Sequence, residues 1–138
     1  MRPPGNQRAF PLRRPMTRDR DLVRDVLLRI EKRKLPDLSD IITDEDDRDS
    51  VAYHVGIMVD AGFLSGIPTS SIGDSYRQWL NLDLTWDGHE FLDDVRDSAA
   101  WRRAKSVAAK AGSESVRFLW DVAKEFAKSE LRRHIAHL

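Results

Sequence analysis

Residues 53–66, YHVGIMVDAGFLSG, read as the back half of a helix that stops at Gly62 and drops directly into a strand. This junction constrains the fold strongly, because it ties a helix to a strand with no linker between them. The strand FLSGIPT is followed by the turn residues SSIGDS and then by YRQWLNLDL. In the second stretch Tyr76, Gln78, Leu80, Leu82 and Leu84 face one way, and Arg77, Trp79, Asn81 and Asp83 the other. The spacing predicts an antiparallel hairpin with the six-residue stretch as its loop.

Everything else with a clear period is helical. Leu22, Val23, Val26, Leu27 and Ile30 recur at helical spacing after Thr17, a candidate cap, with Lys32, Arg33 and Lys34 suiting the dipole of the last turn. Leu35-Pro36 ends that element. DLSDII reads as a short strand or a turn. Thr43 followed by Asp44, Glu45, Asp46 and Asp47 reads as a helix start, giving a second helix from Asp44 to Ala61. Thr85 caps a third, with Phe91, Leu92 and Val95 inward, and the pattern continues as helix to Gly112. A last amphipathic helix carries Val116, Leu119, Trp120, Ala123, Phe126, Leu131 and Ile135 on its stripe.

A chain of 138 residues with 41% hydrophobic residues fits one compact domain. There is no cysteine, so disulfides and thiolate metal sites are excluded. No apolar run approaches a membrane span, and a cytoplasmic protein is the default expectation. The formal net charge of zero hides a segregated pattern: residues 1–34 and 99–138 are basic, and residues 35–98 are acidic. Basic ends suit nucleic acid or an acidic partner. They equally suit pairing with the acidic middle of the same chain or of a second copy, which is the somewhat better supported reading. Residues 1–15 hold four Pro, four Arg and no acid, and are expected to form an extended tail.

Helix, short strand, helix, two-stranded wing, helix is a winged-helix order. YHVGIMVDAGFL fits the H-[LV]-x-x-[LM]-x-x-A-G-[LF] pattern of winged-helix regulators, and LTWDGHEFLDDVRD fits the Leu-Thr-x-x-Gly segment that closes such wings. Together with MTRDRDLVRDVLLRIE, these stretches resemble the bacterial and prophage family known as domain of unknown function 2513, over roughly residues 16–110. The resemblance implies a mainly α, α+β fold with a winged helix-turn-helix-like core and an added C-terminal helix. It implies no established activity. It points to Met16 as the ancestral start, and to a division into a tail (1–15), a winged domain (16–112) and a C-terminal helix (113–138).

The expected function is that of a small DNA-binding protein, a prophage or mobile-element regulator. Its rival is a winged-helix protein-interaction module that does not read DNA. Major-groove readers need outward donors and acceptors, and phosphate contacts need positive charge. Arg48, Ser50, Tyr53 and His54 are the candidates on the second helix, Arg77 on the wing, and Arg13, Arg14, Arg18, Arg102 and Arg103 elsewhere. The acids at the start of the second helix oppose this reading. The small row Ala52, Gly56 and Val59 is read as covered by the last helix, with a protein interface as the alternative. A homodimer through Leu119, Phe126, Leu131 and Ile135 is expected, with packing of the last helix back on the first as the alternative. His89 and Asp93 have metal-ligand spacing, but no third ligand falls in register, and packing by Trp86, Phe91 and Leu92 with a structural role for His89 is the better reading. Without a phosphate loop, a nucleophile setting or cysteine, neither catalysis nor a cofactor is expected.

Overall fold

The computed structural model describes residues 18–69, 77–113 and 115–137. The order is α1 (Arg20–Glu31), α2 (Leu38–Ile41), α3 (Arg48–Asp60), β1 (Leu64–Thr69), β2 (Gln78–Leu84), α4 (Trp86–Val95), α5 (Ser98–Lys110) and α6 (Val116–Ala136). This is a mainly helical α+β layout with one two-stranded antiparallel sheet, consistent with a winged helix. The first fifteen residues, Thr17 and the hairpin loop lie outside the described residues.

α1 is capped by Asp19, whose carboxylate accepts from the amides of Asp21 and Leu22. DLSDII forms neither a strand nor a simple turn: Leu38–Ile41 is one turn of helix closed by a reciprocal box between Asp37 and Asp40. The strand character lies one step earlier. The Leu82 amide donates to the Pro36 carbonyl at 2.8 Å, and the Asn81 amide to Asp37 Oδ1 at 3.1 Å, so this connection lies along the β2 edge.

α3 starts later than its sequence suggests. Asp47 is the cap, and Thr43 instead donates its amide (2.7 Å) and its hydroxyl (3.0 Å) to Asp46. Asp46 also receives the Arg29 guanidinium at 2.8 Å, so it is spent on tying the α2–α3 turn to α1. That hydrogen bond holds the Asp46 carboxyl at about 2, below its ordinary 3.8. A lowered folded pKa contributes stability above the unfolded value, which is lost as the pH falls from about 4 towards 2. Asp46→Asn is expected to flatten this acid limb and to cost on the order of 2 kcal/mol at neutral pH. Urea melts of both chains between those limits measure it.

Gly62 takes φ +88° at the end of α3, and Phe63 then enters the core. The hairpin register runs from Leu64 opposite Leu84 to Thr69 opposite Gln78, and slips between Ser65 and Ile67. Asn81 carries the extra residue of β2 and has φ +52°. This bulge breaks the expected alternation: Trp79, Leu82 and Leu84 are buried, while Leu80 faces solvent.

Thr85 caps α4 through the Gly88 amide and donates its hydroxyl to the Gly62 carbonyl at 2.6 Å. The helical pattern does not run unbroken to Gly112. It stops at Arg96 and restarts with Asp97 as the cap of α5. Arg24 of α1 fills the gap, donating to the carbonyls of Val95 (2.8 Å) and Arg96 (2.7 Å). One core joins α1, α2, α3, the hairpin, α4, α5 and the first half of α6. Trp120 of α6 lies edge-on to Phe63 with centroids 5.5 Å apart, and its indole N–H donates to Asp94 at 3.0 Å.

Candidate nucleic-acid interface

In the winged-helix order, α3 is the element expected to approach a DNA groove, and its start is acidic. Asp44, Glu45 and Asp47 are exposed ahead of Arg48, the one basic residue of α3. Ser50 and Tyr53 are half-buried. Of the α3 row read as covered, Ala52 is buried while Gly56 and Val59 are half-buried.

His54 is a core residue and does not reach a partner outside the fold. It is fully buried. Its Nε2 accepts the Asp19 amide at 2.7 Å, so Nδ1 carries the proton and donates to the Ser50 carbonyl at 2.7 Å. The imidazole thereby satisfies an amide at the N-terminus of α1 that helix geometry leaves without a partner. Tyr53 stands edge-on to it with ring centroids 5.4 Å apart. The histidine of the YHVGIM motif is a latch between two helices.

The remaining candidates are dispersed. Arg77 is exposed on the wing, its guanidinium 5.9 Å from the centre of the Trp79 ring. Arg102 and Arg103 are exposed on α5, and Arg103 lies over the Phe126 ring at 5.2 Å. Arg18 lines a cleft of about 340 Å³ with Asp60 and Arg117, between the end of α3 and the start of α6. Arg13 and Arg14 lie outside the described residues.

Several basic side chains pair within the fold, but among the described residues only Arg29–Asp46 and Arg117–Asp87 join a basic end to the acidic middle as one of the two sequence readings has it. Lys105 and the Trp101 indole both donate to Asp21, at 2.6 and 2.8 Å, and hold its carboxyl below the usual range. Arg96 bridges to Glu31 at 2.7 Å, and Arg117 to Asp87 at 3.4 Å. Lys32, Arg33 and Lys34 are exposed at the end of α1, and the first two line a cleft of about 350 Å³ with Thr43. In the sequence these three residues also suit the dipole of the last turn of α1, which gives them a structural role without any ligand.

Two exposed apolar side chains meet on the wing. Ile67 and Leu80 are opposite each other in register, 52% and 38% exposed. Trp86 does not pack with Phe91 and Leu92 as its sequence position suggests; it is 78% exposed. The α4 wheel accounts for this, because Trp86 lies roughly opposite Phe91, Leu92 and Val95 at about 100° per residue. Of the expected dimer residues, Leu119 is buried in the chain's own core, Phe126 is half-buried, and Leu131 and Ile135 are exposed. Among the described residues no three His, Asp or Glu side chains gather to hold a metal, and no helix is long and apolar enough to cross a membrane.

Residues 17–114 match the family described as Hypothetical protein (DUF2513). An uncharacterized protein of Haemophilus influenzae (strain ATCC 51907 / DSM 11121 / KW20 / Rd) is 30% identical over 127 residues, covering 88% of this chain and 100% of that relative. No solved structure matches the chain.

Proposed function

The chain belongs to the DUF2513 family, a family of unknown function, and we propose that it is a winged-helix interaction module whose α3 and wing engage a protein with basic and apolar surface. The observation that carries this reading is the composition of the expected DNA-facing side. Exposed Asp44, Glu45 and Asp47 precede α3, and an apolar Ile67–Leu80 pair faces outward on the wing. Phosphates repel the first feature and gain nothing from the second, whereas a basic protein surface is attracted by one and buries the other. Burial of His54 removes one of the few donors proposed for base reading.

A second reading, DNA binding, is favoured by the exposed Lys32, Arg33, Arg102 and Arg103. The two separate on salt dependence. Random duplex DNA titrated with the full chain is expected to show no binding that falls steeply with salt. A steep slope that disappears in the Lys32→Ala/Arg33→Ala or Arg102→Ala/Arg103→Ala chain establishes the second reading instead. The interaction reading is tested directly by a photo-crosslinker placed at Leu80 on the wing in cells. A discrete adduct is expected there and not from a crosslinker at Ser106, and Ile67→Glu should abolish it.

A further inference from the structure

We propose that two copies of the chain form a two-fold dimer in which their α6 helices lie antiparallel, each seating its far half against the α5–α6 cleft of the other. From Lys124 onward no described residue of α6 is buried. Its half-buried residues end at Ser129 and every described residue from Glu130 onward is exposed, and a helix end left unpacked in this way is marginal in water. The cleft has a volume of about 470 Å³ and an apolar floor of Val107, Phe118, Val122 and Phe126. Its rim carries Asp121 and Glu125 on the α6 side and Arg103 on the α5 side.

The occupant follows from the charge pattern of α6 itself. At about 100° per residue, Ser129, Arg132, Arg133 and Ala136 continue the face that holds Phe118, Asp121, Val122 and Glu125. That face is acidic in its near half and basic in its far half. A two-fold axis turns the helix end for end, so Asp121 and Glu125 of one copy come opposite Arg132 and Arg133 of the second, in exchange for the exposed pairs that Asp121, Glu125 and Arg133 make with Lys124, Lys128 and Glu130 of their own helix. Glu130 of one copy then falls on the side of Arg103 in the other. The arginine stems and Ala136 cover the apolar floor while the guanidinium groups stay at the rim. A self-complementary face of this kind is what an isologous contact requires, and two-fold dimers are the commonest assemblies.

This seam replaces the one read from the sequence. Leu131 and Ile135 lie roughly 130° around α6 from the cleft face, so a straight antiparallel pair cannot use both. Leu119 is closed into the core.

The test is sedimentation velocity on the full chain across concentration and salt. The wild type is expected to dimerise, more weakly in high salt. Asp121→Lys/Glu125→Lys and Arg132→Glu/Arg133→Glu should each raise the dissociation constant by about tenfold or more. An equimolar mixture of the two should re-associate, because each then supplies the charge the other needs. A second measurement tolerates any loss of fold in those chains. The protein has no cysteine, so a short bis-maleimide should join Ser129→Cys copies and leave Ser39→Cys copies single. A wild type that stays monomeric up to about 100 µM, a dimer indifferent to the reversals, a mixture that does not re-associate, or equal crosslinking at both positions overturns the proposal.

Discussion

Gly88→Ala is expected to destabilise the chain by at least about 3 kcal/mol, a large part of the total stability of a domain this size. On an ordinary helix surface the same change would help, because alanine is the better helix former by about 1 kcal/mol. Here the sign reverses. A Cβ at Gly88 would stand 2.1 Å from the Phe63 carbonyl oxygen, with the Phe63 carbonyl carbon at 3.1 Å and Leu84 Cβ at 3.3 Å. The obstacle is backbone, which has no rotamer to yield. It is also held, since the Thr85 amide donates to that same Phe63 oxygen at 3.1 Å. The Leu-Thr-x-x-Gly segment is thus one device: Leu84 pairs with Leu64, Thr85 ties α4 to the end of α3, and Gly88 lets the two backbones touch. Thermal melts followed by circular dichroism measure the effect, and a drop in Tm of roughly 10 °C or more is expected. An unchanged melting temperature would mean that α4 does not press on the backbone of Phe63.

His54→Leu is expected to cost about 2–3 kcal/mol. Leucine fills much of the space but offers nothing to the Asp19 amide, which then stays part-buried without its acceptor. The decisive readout is the pairing of stability with binding. A histidine that touches a ligand changes affinity and leaves the melting temperature alone; a latch between α1 and α3 does the opposite. Nitrogen chemical shifts of the ring give an independent check, since the geometry requires the proton on Nδ1. A proton on Nε2 would break the argument at its first step.

The two substitutions show how legible the chain is. Helix existence, the glycine stop at Gly62, the hairpin and most of the core stripe were readable, because each depends on residues a few positions apart. The His54 bond joins residues 35 apart in the chain, and no local pattern announces it. Histidine on a half-buried helix face satisfies the requirements of a reader and of a latch equally well. The restart at Asp97 was local, and Asp ahead of Ser-Ala-Ala is an ordinary cap; the apolar period across it concealed the break. The exposure of Trp86 is legible from its angle on the helix, which sets it apart from Phe91 and Leu92. The stripe on α6 is read from apolar character. Leu119, Phe126, Leu131 and Ile135 are all apolar, but they do not share one face of α6.

The bulge at Asn81 bears on how this surface can change over time. Had β2 run without it, the strand would present Leu80 inward and Trp79 to solvent, as its alternation suggests. One residue in a left-handed conformation, which asparagine tolerates better than most, exchanges those two roles. The wing's outer character is therefore set by backbone chirality at a position that contributes little apolar area of its own. A lineage can rewrite what this wing displays without altering any of the apolar residues displayed. Relatives that differ at the equivalent of Asn81 would then diverge in partner choice while keeping nearly the same hydrophobic composition.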